Sequence, residues 1–194
     1  MIIAKLSDML SEIRADYKRC KSINRLPTKK NRVGCLISIF PIIDHRIGLF
    51  IETYYKDKKH LLKYLLRAFY LAGKLISVIL FKTNIDELSV IGGGLSICKK
   101  GNVIIAVKRL GTGCTIGENV TIGHGFGSEL PEIGDNVTIG SNSIIYGGIR
   151  IGNNVLIDDN TVLTKNVPDN CRVGGNPGKV IHKKEQHLCS CRSS

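Results

Sequence analysis

The sequence predicts a mainly β protein: a parallel β-helix of about four coils behind a small, basic α-helical N-terminal region. Three observations carry this. Ile133, Ile139, Ile145, Ile151, Ile157 and Leu163 fall six residues apart without a slip. The residue after each is usually small or acidic (Gly134, Gly140, Gly152, Asp158), and four residues after each come Val137, Ser143, Ile149, Val155, Thr161 and Val167, all small or β-branched. The chain also holds 21 glycines against only five prolines, so it needs many tight turns. Neither a helix nor an ordinary strand repeats at six, whereas a stacked solenoid does.

Within the N-terminal region, residues 1–25 read as an amphipathic helix with Ile3, Leu6, Leu10, Ile13 and Tyr17 on its apolar face, ended by Pro27 and the TKKNR run. The stretch CLISIFPIIDHRIGLFIETYY follows, and its Pro41 is expected to break or start a helix. Leu61–Phe81 has the length of a membrane span, but Lys63, Arg67 and Lys74 interrupt it at spacings that stack them on one face. It reads as a helix buried on most sides with one basic stripe; the sharper alternative is a helix lying flat on an acidic membrane.

After Asp86 the hexads begin. Each makes one flat face, three faces close a coil, and coils stack about 4.8 Å apart by main-chain pairing. One aliphatic side chain per face then stands above its counterpart in the coil below. Glycine, asparagine and aspartate take the corners, where positive φ costs them least. Ile91, Ile97, Ile104, Leu110, Ile116 and Ile122 extend the ladder backwards, with one residue slipped in before Ile104. Between Ile122 and Ile133 five extra residues bulge out, in the loop that begins at His124. The predicted division is 1–82 helical region, 83–168 β-helix and 169–194 cap and tail.

Composition narrows the function classes. A hydrophobic content of 43% and mean hydropathy of +0.06 are those of a folded chain. The net charge of +12 is concentrated in residues 1–86, with 17 Lys/Arg against 7 Asp/Glu. No zinc-finger spacing or aromatic stacking platform accompanies it, so no nucleic-acid partner is expected. A membrane-surface contact through the basic helices stays open. Seven cysteines without a secretory signal read as reduced thiols in a cytoplasmic protein, peripheral to the inner membrane face if the basic helices dock there. His182, His187, Cys189 and Cys191 in the tail match no zinc pattern, and no metal is expected.

IGDNVTIGSNSIIYGGIRIGNNVLIDDNTVLTKNVPDN, followed by VGGNPGKVI, resembles the closing coils and terminal motif of the left-handed β-helix acyltransferases of the hexapeptide-repeat superfamily. Within them the sequence looks most like the serine O-acetyltransferases and the related O-acetyltransferases of surface-polysaccharide biosynthesis. IGGGLSI with GNVII matches the coil that ordinarily presents the catalytic residue. The resemblance implies a left-handed coil and a homotrimer whose active sites lie between subunits. It implies acetyl-CoA as acyl donor and a hydroxyl of serine or of a polysaccharide sugar as acceptor. By the same analogy Lys165 and Lys179 would meet the nucleotide end of acetyl-CoA, and Gly123, Gly140 and Ser141 its arm.

Taking a hydroxyl proton needs a base, and the tetrahedral oxyanion needs backbone donors. Relatives place a histidine in G-L-x-I-x-H-x-x-G; here GLSICKKG puts Lys99 there, and Asn84 stands for the acidic residue that supports that histidine. The loop ending R-H-P-x-I in relatives reads ELPEI, so Glu129 and Leu130 replace its arginine and histidine. A lysine of ordinary pKa, about 10.4, is protonated at neutral pH and accepts no proton. His124 is therefore the first candidate base, Lys99 the second, and His45 a remote one that would need the helical half to fold over the cleft. The alternative is a catalytically degenerate trimer that binds coenzyme A or only partner chains.

Overall fold

The computed structural model describes residues 6–23, 29–54, 61–98, 101–125 and 129–183. Three helices, α1 (Leu6–Ile23), α2 (Lys29–Tyr54) and α3 (Leu61–Phe81), precede a three-faced parallel solenoid. The first face stacks β1 (Thr83–Ile85), β4 (Val103–Ile105), β7 (Thr121–Gly123), β10 (Ile144–Tyr146) and β13 (Val162–Leu163). The second stacks β2 (Val90–Ile91), β5 (Arg109–Leu110), β8 (Glu132–Ile133) and β11 (Arg150–Ile151). The third stacks β3 (Ser96–Ile97), β6 (Thr115–Ile116), β9 (Thr138–Ile139), β12 (Leu156–Ile157) and β14 (Cys171–Gly174), and β15 (Lys179–Lys183) folds back antiparallel on β14. This is a left-handed β-helix fold of about five turns rather than four. The ladder starts at Ile85, within the predicted 83–168 span and one hexad before Ile91, the first aliphatic named from the repeat, and Val173 continues the third face beyond Leu163.

Main-chain bonds between coils set the stacking, as in Gly117 N to Ile139 O at 2.9 Å and Gly140 N to Ile157 O at 2.8 Å. The inward columns are fully apolar: Ile105, Ile122, Ile145 and Leu163 on the first face are at most 1% exposed. Burying each such side chain contributes about 1.5–3 kcal/mol. The corners are held by asparagines in the left-handed region, Asn136, Asn154 and Asn170 at φ 55°, 55° and 58°. Their amides form a ladder, Asn136 to Asn154 at 3.4 Å and Asn154 to Asn170 at 3.1 Å. Beside it Asp135 Oδ1 accepts the Thr112 amide at 2.6 Å, and these bonds from Thr112 hold its carboxyl below the usual range.

The first face corrects one position. Ile105, not Ile104, pairs in register with Ile122, and Ile104 turns outward at 36% exposure. The corner after Ile97 carries two extra residues, and the next step, from Ile105 to Leu110, is one short. Three consecutive β-branched residues, Val103–Ile105, left no alternation from which to read the slip.

The helices correct three more. In α1 the buried face is Met9, Glu12, Asp16 and Cys20, while Leu6, Leu10 and Tyr17 are 42–54% exposed and Ile13 is half-buried; Ile3 lies outside the described residues. The acids turn inward because Arg46 of α2, 1% exposed, needs counter-charges. Its Nε reaches Asp16 Oδ2 at 2.7 Å, its Nη1 binds Glu12, and its remaining donors reach the carbonyls of Ile91 and Gly92. Asp16 Oδ1 also accepts the Gly94 and Leu95 amides at 2.7 and 2.9 Å, which ties both helices to the first coil. Helix α2 continues through Pro41 instead of breaking there, giving up one main-chain bond. Helix α3 keeps its predicted bounds, but it is not buried on most sides: of Tyr64–Phe81 only Tyr70 and Ser77 are buried. It ends at Lys82, whose φ of 51° caps the helix and whose carbonyl takes the Val103 amide.

Candidate active site

The register places His124, Lys165, Gly140, Ser141 and Lys179 at the two edges of the first face, with Gly123 on the outer surface beside His124. His124 follows β7 directly, at the corner leading to the second face, and is exposed. Gly123 precedes it on the outer surface, where a β-carbon would meet nothing closer than Ala106 at 3.9 Å, so the surface is open there. Gly147 donates to the Gly123 carbonyl at 3.1 Å in the coil above, and Lys165 occupies the corresponding corner one coil further. His124 and Lys165 thus share one edge, about 10 Å apart at two coil spacings.

The opposite edge, between the third and first faces, holds Gly140, Ser141 and Lys179. Gly140 sits so close beneath the next coil that a β-carbon would lie 2.5 Å from the Asp159 nitrogen. The Ser141 amide donates to Asp159 Oδ1 at 2.6 Å and its hydroxyl accepts the Glu118 amide at 3.2 Å, so both groups are used in coil stacking. Lys179 opens β15 opposite Gly174 and is exposed, next to Gly178, whose amide donates to Val162 O. Lys99 lies outside the described residues. Its neighbour Cys98 is exposed at the base of this edge, with Sγ 3.3 Å from Glu118 Oε1. Asn84 is exposed on the outer surface of the first face, in register with Ile104. The two edges are separated by the width of the face, about 10–13 Å for three to four extended residues. One chain does not bring His124 together with the residues of the opposite edge.

The loop from His124 returns at Glu129. The Glu129 carboxylate lies where a β-carbon on Gly148 would sit, so residue 148 must be glycine for the loop to rest there. Beside it opens a groove of about 570 Å³ lined by Lys108, Glu129, Leu130, Glu132, Gly148, Ile149 and Arg150. Lys108 Nζ binds Glu132 Oε1 and keeps its carboxyl below the usual range, and Arg150 Nε stands 3.6 Å from the other oxygen. Sequence reasoning missed this charged column. Its signal was present: Arg109, Glu132 and Arg150 each directly precede an inward aliphatic on the second face, and strand register stacks them.

His45 does not reach a cleft. It is 4% exposed, its Nε2 lies 3.0 Å from the Ser89 carbonyl, and burial pushes its pKa down to about 4. Nearby Asp44 is pushed up to about 6 by burial, partly offset by Lys74. Among the described residues no three His, Cys, Asp or Glu side chains are grouped to hold a metal.

Residues 131–165 match the family model described as bacterial transferase hexapeptide (six repeats). The Staphylococcus epidermidis serine acetyltransferase is 39% identical over 88 residues, covering 41% of this chain and 41% of that protein. The chain therefore matches less than half the length of that curated relative. The fold agrees over more of the molecule. The Neisseria gonorrhoeae serine acetyltransferase in complex with serine superposes at TM-score 0.69 and 27% identity, over 91% of this chain and 70% of that one. The Brucella abortus serine acetyltransferase in complex with coenzyme A gives TM-score 0.71 at 23% identity over 93% and 70%, a likeness of fold. Coils, corners and matches together make the solenoid similar to the hexapeptide-repeat transferases, with the matched repeat lying in residues 131–165. The relatives and solved structures it is similar to are serine acetyltransferases.

Proposed function

We propose that this protein is an acetyl-CoA-dependent O-acetyltransferase that works as a homotrimer, with each active site formed between copies. The observation that carries this is the division of the candidates between two edges of one face. Between those edges the outer surface carries an apolar patch, with Ile104 36% and Ile144 41% exposed and Val162 and Tyr146 half-buried, beside exposed Asn84, Thr121 and Thr164. Packing that face against the next copy removes apolar area from water and sets the His124 edge of one chain beside the Lys179 edge of its neighbour. Lys165 and Lys179 carry no ion pair among the described residues and suit the phosphates of the donor. The open surface at Gly123 suits its thin pantetheine arm.

The donor supplies an activated thioester. The chain must orient the acceptor hydroxyl and take its proton, and the exposed imidazole of His124 has the ring nitrogens for that task. Glu129 stands where relatives use an arginine. That replaces a cation able to hold a carboxylate by an anion that repels one, and it favours a neutral sugar hydroxyl over serine as acceptor. Acetyl-CoA turnover with serine and with glycan acceptors tests the proposal. Glycan-dependent thiol release that falls about 100-fold or more in His124→Ala, in an intact trimer, is expected. No turnover with any acceptor would abandon it.

A second reading rests on the pair Lys99 and Asn84, which removes both members of the relatives' base. It makes the protein a coenzyme A-binding trimer without catalysis. It predicts coenzyme A binding by calorimetry in a protein that never releases thiol, with Lys99→His leaving stability unchanged.

A further inference from the structure

Helix α3 is built the wrong way round for water. At 100° per residue, Leu66, Tyr70, Gly73, Lys74, Ser77 and Phe81 fall on an arc of roughly 100° that faces the rest of the protein. On that arc Lys74 Nζ binds Glu87 at 2.7 Å. The remaining arc, roughly 220° wide, is exposed and nearly all apolar. Phe69 is 75% exposed, Leu80 69%, Tyr64 and Ile79 63%, Leu75 61% and Leu65 60%. Among the described side chains the only charge on it, Arg67, sits at its margin and pairs with Glu52 at 3.1 Å. A helix of a water-soluble surface shows the opposite arrangement.

What covers this arc follows from its shape and charge. It is a convex ridge about 27 Å long, from 18 residues of mean hydropathy 1.6. A protein partner would need a deep apolar groove to enclose so wide an arc; the acyl region of a bilayer closes around a ridge of any profile. Residues 61–81 contain no acidic side chain, and basic residues flank both ends: Lys56, Lys58 and Lys59 precede it in sequence with one acid, Asp57, among them, Lys63 falls in its first turn, and exposed Lys82 follows. We infer that α3 is a docking surface for an anionic bilayer, lying flat with its apolar arc among the acyl chains and its flanking lysines at the headgroups. Flat rather than spanning is required because α3 stays bonded to α2 through Arg67–Glu52 at the margin of the arc and to the first coil through Lys74–Glu87.

The test is flotation of the full-length protein with phosphatidylcholine vesicles and with mixed phosphatidylcholine/phosphatidylglycerol vesicles. Wild type is expected to float with the mixed vesicles, less with the neutral ones, and less as salt rises. The double variant Leu75→Gln/Ile79→Gln changes only exposed side chains, so melting and sedimentation should be unchanged while partitioning falls about tenfold or more. Absence of wild-type flotation at low salt overturns the inference, as does a variant that floats equally well. A variant that lowers the oligomer mass while vesicles never bind wild type assigns the arc to a second copy of the chain. Bound protein that resists alkaline carbonate extraction would mean a spanning helix and refute the flat geometry.

Discussion

Replacing Arg46 by methionine should detach the helices from the solenoid at a cost of about 3–5 kcal/mol. The magnitude follows from what the guanidinium leaves behind. Asp16 is fully buried and Glu12 nearly so, and without Arg46 both become unpaired carboxylates in a site that water does not reach. The carbonyls of Ile91 and Gly92 lose their donor as well. Methionine fills much of the volume, so loss of packing is a small part of the effect. Urea unfolding of wild type and variant at pH 7 measures it, and limited proteolysis separates release of α1 and α2 from melting of the coils. Two further results are required. The penalty should shrink toward pH 4, where unpaired carboxylates that burial has raised take up protons and no longer carry buried charge. The triple variant Arg46→Met/Glu12→Leu/Asp16→Asn should recover most of the loss, since the introduced carboxamide oxygen can still accept the Gly94 and Leu95 amides. A cost for Arg46→Met of less than about 1 kcal/mol would refute the view that this network joins the two parts.

Three other outcomes follow from the same structure. His45 has a folded pKa of about 4 against 6.5 ordinarily, so its contribution is complete above pH 6.5 and is lost as pH falls toward 4, about 3 kcal/mol in all; the difference in urea stability between wild type and His45→Gln should carry that slope. Asn154→Ala should cost about 1–2 kcal/mol in a thermal melt, because alanine pays for the left-handed corner and cuts the amide ladder on both sides, while Asn154→Gly should cost less. Ile104→Asp should leave the coils folded whereas Ile105→Asp should abolish them by far-UV circular dichroism; the reverse would restore the register read from sequence alone.

The solenoid was legible in the sequence because its period is strict and its cause is local: every sixth side chain must stack on the one below. Register was lost only where a corner took two extra residues, because Val103–Ile105 offers three inward candidates in a row. The helices were less legible because their faces answer to long-range partners. Nothing in α1 announces that Glu12 and Asp16 belong inside; that depends on Arg46, 30 residues beyond Asp16. In α3 the apolar periodicity was visible, but a pattern cannot say whether its apolar face meets protein or something else. The candidate site could be read only through a resemblance and not from composition, since Lys99, Asn84, Glu129 and Leu130 have meaning only against a motif. The charged column of Arg109, Glu132 and Arg150 needed strand register to assemble it.

The geometry of the first face makes a demand that no single-site experiment tests. Proton transfer requires base and hydroxyl within about 3 Å, yet the His124 edge and the Lys179 edge stand a full face-width apart, on the order of 10 Å or more. If catalysis uses both, a variant damaged on one edge and a variant damaged on the other should complement each other. His124→Ala and Lys179→Glu both alter exposed side chains, so each is expected to fold and assemble while losing activity. In trimers of the proposed kind reassembled from an equal mixture, each cleft would draw one edge from each of two neighbours. Roughly a quarter of the clefts then receive both edges intact, and the mixture should recover about that fraction of the wild-type rate. Activity that stays at the level of the single variants after verified subunit exchange would mean that the two edges do not serve one site. A mixture no better than the average of its parts, with coenzyme A still bound by Lys179→Glu, would instead remove Lys179 from the cleft and leave His124 to be judged alone.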